Sequence, residues 1–351
     1  MYRTAIGIAA MGLALLLAGA GPAAAQPDDP NSPPVAGGPL GLYPKTVQGD
    51  IHRQFAQPGE HKVATSQQLH KSCTELGLPI GPLVLWLAGG TDVSNMQCTT
   101  AFPRGLDSPI GMMYYYPADI QNMAPAPVVE FEGGVLTDPG HYASIASLWA
   151  SRGYVVAMPY NFINSLPTDA IWGTQALLAE EARPDSPLHG RVDFSRTVVA
   201  GQSGGAGAAY WAANYLPEVA PLLDPRLKVI GALSMNTGIQ APGGLFIKVP
   251  TLSLTGNLDV VTPDMLWPRL IDFRTTFQAP AYIACVINGT HGGSFNDIPN
   301  NPFAGASMAW LEHLTGGNPD ADKVFVGPKW GLSTDAAFMA VERNTLADQL
   351  Q

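Results

Sequence analysis

From about Thr99 to the C-terminus, short apolar runs closed by glycine, proline or asparagine alternate with longer segments whose apolar residues recur every three or four positions. The short runs read as buried strands and the longer ones as amphipathic helices. Ile110–Tyr116 predicts an early antiparallel strand, and Pro127–Phe131 a short strand ending at Gly133 and Gly134. A helix over His141–Arg152 leads through Gly153 into a strand at Tyr154–Met158, and a second helix covers Ile171–Ala182. Val198–Gly201 is the next strand, followed by a helix from Ala206 to Tyr215 that Pro217 and Pro221 are expected to end. Leu227–Met235, Thr251–Thr255 and Ala281–Asn288 complete the strands, and Ala304–Leu314 is a closing helix. Such alternation predicts an α/β fold, a mostly parallel central sheet flanked by helices on both faces. Only 15 residues separate Met235 from Thr251, too few for a large cap domain.

The pattern differs before Thr99. Arg3, an apolar stretch from Ala5 to Leu17 and the small residues Ala23, Ala24 and Ala25 read as a cleavable export signal cut after Ala25, too short to cross a bilayer. A secreted or periplasmic protein is expected, with residues 26–60 a proline-rich linker or arm, 61–98 an N-terminal extension of uncertain structure and 99–351 one catalytic domain. Ile80–Leu87 could be a strand within that extension. The formal charge is −10 and moves to −11 once Arg3 leaves with the signal, which argues against nucleic acid and anionic membranes as partners. Three cysteines in an exported chain suggest one disulfide, for which Cys73 and Cys98 are the expected pair, with Cys285 buried in its apolar run. No cysteine or histidine spacing suggests a zinc site, and no cofactor is expected.

Candidate chemistry centres on Gly201-Gln202-Ser203-Gly204-Gly205. This Gly-x-Ser-x-Gly pattern follows a β-branched run and precedes small residues suited to a helix, the setting in which a sharp strand-to-helix turn exposes a serine hydroxyl. A serine hydroxyl is a weak nucleophile, so it requires a base in hydrogen-bond reach and a third group that orients the base. Asp259, in a glycine-initiated turn after the Thr251 strand, is the expected acid; its alternative role is a helix cap before Met265, a role for which Asp264 competes. His291, in Gly289-Thr290-His291-Gly292-Gly293 after the Ala281 strand, is the expected base, ahead of His141. An oxyanion would be held by the N–H groups of Gly204 and Gly134. Met235, Phe295 and Trp267 are expected near the substrate, although such residues are often core.

From about Phe102 to Asp335 the chain resembles the exported α/β-hydrolases of the cutinase-like polyester hydrolase and chlorophyllase-related group, and more distantly dienelactone-hydrolase-like enzymes. The likeness rests on Tyr115-Tyr116-Pro117, Glu132-Gly133-Gly134, Leu148 to Val156, Gly201 to Gly205, Gly256 to Pro263, Val286 to His291 and Ala309 to His313. It implies an α/β-hydrolase fold, a triad of Ser203, Asp259 and His291, and a serine esterase or lipase acting on carboxylic esters, bulky or polymeric ones included. The resemblance departs at the elbow, where the group carries Gly-His-Ser-Met-Gly and this chain has Gln202 and Gly204. It departs also at Gly134 and over Ser234–Gly238, which lack the group's aromatic residues. Alternatives are an exported acyltransferase using the same triad and a catalytically silent binding module. A monomer without stable membrane insertion is expected.

Overall fold

A computed structural model describes residues 45–71, 96–99, 110–161 and 163–349. The expected signal, most of the linker, Cys73 and the Ile80–Leu87 run lie outside the described residues. Eleven strands are described: β1 (Val63–Thr65), β2 (Leu69–Lys71), β3 (Gln97–Thr99), β4 (Gly111–Pro117), β5 (Ala126–Glu132), β6 (Val155–Tyr160), β7 (Val192–Gln202), β8 (Val229–Met235), β9 (Thr251–Gly256), β10 (Ala281–Val286) and β11 (Phe338–Arg343). Nine of them form one sheet in the order β1-β4-β6-β5-β7-β8-β9-β10-β11, and β2 pairs with β3 apart from it. The six strands from β6 across to β10 run parallel, while β1, β4 and β11 pair antiparallel.

Helices α1 (Asp50–Phe55), α2 (Ala143–Ser151), α3 (Asp169–Ala182), α4 (Gly204–Leu223) and α5 (Ala304–Thr315) cover the sheet. Alternate residues of the central strands enter separate cores. Val129, Phe131, Val198 and Ala200 pack with Trp149 of α2 and Trp310 of α5, while Val128 and Val199 pack with Leu177 of α3 and Tyr210 and Leu216 of α4. Both faces are therefore covered, which is why these strands read as continuous apolar runs.

Four elements differ from the sequence expectation. Helix α4 continues through Pro217 and Pro221 to Leu223. Its buried stripe of Ala212, Ala213, Leu216 and Ala220 holds it to the sheet, and both prolines lie off that stripe, Pro221 exposed and Pro217 partly so. Part of the supposed linker is structured: Ile51 and Phe55 of α1 are buried, and Ile51 N–H donates to Asp335 at 2.7 Å. The extension contributes β1 to the sheet edge, and an unanticipated β11 closes the other edge. Cys98 is disulfide-bonded. Cys285 is a free, buried thiol whose pKa burial raises to about 11. Among the described residues no helix is long and apolar enough to cross a membrane.

Candidate active site

The parallel strand order reverses beside β5, whose chain successor β6 lies on one side and β7 on the other. Loops leaving β5 and β7 therefore diverge and open a crevice at their C-terminal ends, the position where ligands enter open α/β sheets. Ser203 occupies that crevice. It sits between β7 and α4 with φ 53° and ψ −117°, a backbone that L-residues rarely adopt. The neighbours leave no room for side chains: a Cβ on Gly201 would lie 2.2 Å from Gly205 O, and one on Gly205 2.1 Å from Glu132 O. The turn is fixed further by Ser203 N–H donating to Met235 O at 2.9 Å and Gly238 N–H donating to Ser203 O at 3.1 Å.

Loops after three strands converge on this serine. His291 Nε2 lies 2.8 Å from Ser203 Oγ, and His291 Nδ1 lies 2.8 Å from Asp259 Oδ2. The histidine is 5% exposed and the serine half-buried, so the hydroxyl is reachable while the base is shielded. Asp259 has a full set of donors. Its Oδ1 accepts the N–H groups of Val261 and Thr262, both at 2.8 Å, and its Oδ2 accepts the Thr262 hydroxyl at 2.7 Å and the Asn236 amide. Burial disfavours its charge, but the adjacent His291 and these donors outweigh burial and hold its pKa at about 2. Asp264, the other acid of this loop, is engaged elsewhere: Arg269 Nε and Nη2 donate to it at 2.9 and 3.0 Å, and Thr255 also donates.

The oxyanion side differs in detail from expectation. Gly204 N–H heads α4 and, as a first-turn donor, has no helical acceptor. Gly134 N–H, expected to join it, already donates to the Tyr142 hydroxyl at 2.7 Å. Its neighbour Val135 N–H has no partner among the described residues, and the Val135 side chain lies over Gly204, where an added Cβ would meet its Cγ2 at 2.7 Å. Asn164 secures this loop by donating to Gly134 O at 3.0 Å and Thr137 O at 2.6 Å.

Of the residues expected near substrate, Met235 is fully buried, and Phe295 is 4% exposed with its ring edge-on to Tyr142 at 4.9 Å. Both are core residues beneath the site, because a strand end and a helical turn in this crevice point inward. Trp267 is half-buried and donates from its indole to Ala241 O at 3.1 Å. His141 is buried, bridging to Asp138 N–H and the Cys98 sulfur, and burial lowers its pKa to about 3. Sequence reasoning missed Asn236, Thr262, Asn164 and Tyr142, which have no spacing signature. Gln202 was visible as a departure from the hydrolase group but had no assigned role.

Among the described residues no group of three or more histidine, cysteine, aspartate or glutamate side chains is placed to hold a metal ion. Comparison of the chain with known protein families and with curated proteins finds no match to either.

Proposed function

We propose that this chain is a serine hydrolase of the α/β-hydrolase type that cleaves carboxylic esters through an acyl-enzyme. The observation that carries the reading is the continuous Ser203–His291–Asp259 contact, 2.8 Å at each step, with the serine on a strained strand-to-helix turn. The strand order supports it, since the acid and base follow β9 and β10, on the side of the sheet toward which the chain continues after the serine. In the proposed reaction His291 Nε2 takes the proton of Ser203 Oγ as the oxygen attacks the ester carbonyl. Asp259 accepts from Nδ1–H and stabilises the imidazolium that forms. The developing oxyanion is held by the N–H groups of Gly204 and Val135, with Gly134 fixed beside them. His291 then protonates the departing alkoxide, and a water activated by the same base releases the acid.

The surroundings favour an uncharged, apolar ester. Val135, Ile239, Phe246, Val260 and Met265, on loops after β5, β8 and β9, are 46–72% exposed. Asp259 and Asp264 are the only ionisable residues in 133–137, 236–247 and 257–267, and both are buried. Among the described residues no helix or strand lies between β8 and β9, which favours bulky acyl or alcohol groups. The reading is tested with p-nitrophenyl butyrate and a fluorophosphonate probe. Wild-type protein is expected to hydrolyse the ester and take up one probe, and Ser203→Ala to do neither; hydrolysis retained by the variant refutes it.

A further inference from the structure

We propose that Gln202 is a positioning residue that locks the oxyanion loop and the histidine loop to each other. The inference rests on the reading of Ser203 as nucleophile. Gln202 ends β7 and is fully buried, and its side chain reaches both loops. Its Oε1 accepts the Tyr142 hydroxyl at 2.8 Å, and its Nε2 donates to the His291 carbonyl at 2.9 Å. Tyr142 Oη in turn accepts Gly134 N–H at 2.7 Å. One chain of hydrogen bonds therefore runs from the Gly134 peptide through Tyr142 and Gln202 to the backbone of the base.

Each link has a directional consequence. A Tyr hydroxyl has one proton; because Gln202 Oε1 takes it, the oxygen is left to accept from Gly134, which orients that peptide and the Val135 N–H that follows. A primary amide has both a donor and an acceptor end, and here each end is used by a different loop. The chain is closed to water, since Gln202, Gly134 and Tyr142 are all buried, so breaking one link leaves the remaining polar groups without solvent to replace it. The geometry also leaves little slack: a Cβ on Gly134 would sit 2.6 Å from Gln202 Oε1 and 3.2 Å from Ser203 Cβ. Gln202 touches no reacting atom. It acts by keeping the oxyanion donors and the imidazole in register with Ser203 Oγ.

The test compares Gln202→Met, Tyr142→Phe, their double variant and Gln202→His in the full chain, with p-nitrophenyl butyrate kinetics and thermal unfolding. Methionine fills the volume without either polar end, whereas histidine retains one donor and one acceptor. Gln202→Met is expected to lower kcat about 30-fold or more with KM within about 3-fold, since the lost interaction serves the transition state. Tyr142→Phe is expected to lower kcat in the same manner, and the double variant to fall no further than Gln202→Met, because both break one chain. Gln202→His is expected to regain part of kcat at unchanged KM. Folded Gln202→Met with kcat within 3-fold of wild type, multiplicative losses in the double variant, or a Gln202→His variant no better than Gln202→Met would each overturn the proposal. Should Gln202→Met fail to fold, Tyr142→Phe and Gln202→His decide by the same kcat and KM criteria. Ser203→Ala, run alongside, separates the two ideas: if it stays active the nucleophile reading fails, and if it is inactive while Gln202→Met is normal only this inference fails.

Discussion

Replacing Asp259 by asparagine isolates the step of the proposed reaction in which charge develops on His291. Asp259 Oδ1 is held by two backbone N–H groups at 2.8 Å, so an asparagine would keep its oxygen there and turn its NH2 toward His291. Nδ1 must then accept, which moves the ring proton to Nε2, opposite Ser203 Oγ, where it blocks proton removal. The ground state already reports the strength of the arrangement. The Asp259 carboxyl is held at about 2 against an ordinary 3.8, worth roughly 2 to 3 kcal/mol on the scale of about 1.4 kcal/mol per pKa unit. Because burial opposes that shift, the favourable contributions together exceed this figure. With the tautomer also wrong, kcat is expected to fall about 10³- to 10⁴-fold, or roughly 4 to 5.5 kcal/mol, at little-changed KM. The assay is saturation kinetics on p-nitrophenyl butyrate near neutral pH, with the rate of fluorophosphonate labelling as a second readout. Asp264→Asn is the control from the same loop. It is expected to keep kcat within about 3-fold while losing about 3 kcal/mol of stability, since buried Arg269 loses a charged partner. An Asp259→Asn variant with more than a tenth of wild-type kcat would refute the assignment, as would a folded but inactive Asp264→Asn.

Three further outcomes follow from other parts of the molecule. Glu130 is wholly buried, with Oε2 accepting from Thr174 at 2.7 Å and Oε1 unpartnered among the described residues, and burial raises its pKa from 4.5 to about 8. The folded state therefore holds this proton more tightly, so the associated stability is complete below pH 4.5 and declines as pH rises to about 8. Glu130→Gln should thus gain stability relative to wild type by several kcal/mol on going from pH 5 to 8.5 in urea titrations, and an unchanged difference would contradict this. Gly205→Ala drives a methyl into Glu132 O and Gly133 O and is expected to cut probe labelling at Ser203 at least 10-fold; normal labelling would show that the turn is not so constrained. On p-nitrophenyl esters of increasing acyl length, kcat/KM should climb by up to about 4-fold per CH2 buried against the apolar rim. Val260→Asp should flatten that climb, and an unaltered chain-length profile would remove Val260 from the substrate surface.

The order of strands from β4 to β10 was readable because β5 to β10 are covered on both faces, which forces unbroken apolar runs at regular spacing, whereas edge strand β11 carries no such run. Ser203, Asp259 and His291 were readable for a related reason: each follows a recognisable strand in a glycine-marked turn. Less of the supporting structure was legible. Asn236, Thr262 and Tyr142 contact the site across 23, 3 and 60 residues of sequence respectively, through Asp259, Asp259 and Gln202, and no periodicity encodes such pairings. Pro217 and Pro221 misled for a physical reason, since tertiary burial of one helix face outweighed a local preference of about 3 kcal/mol per proline. The brief helix Asp50–Phe55 was hidden by the proline-rich stretch around it, and it folds against α5 rather than by its own propensity.

Backbone strain gives an independent view of the crevice in which the proposed chemistry would take place. Six described residues other than glycine have positive φ: Leu136, Asn164, Ser203, Asn236, Asn288 and Ala340. The first five follow the C-terminal ends of β5, β6, β7, β8 and β10 in turn, and only Ala340 lies elsewhere, on edge strand β11. A non-glycine residue in that region costs of order 1 kcal/mol, so strain scattered by chance would not gather on one rim of a sheet with two ends and many connections. Nor are the strained residues bystanders: Asn164 pins the loop after β5, Ser203 presents the hydroxyl, and Asn236 holds Asp259. Three of the five are asparagine, whose side chain tolerates this backbone and can bond locally. The strained turns let short loops fold back over the strand ends, bringing groups from four strands within hydrogen-bond reach of Ser203 and its partners. Stability is spent at that rim and recovered in the two cores below it, a distribution in keeping with the reaction proposed at Ser203.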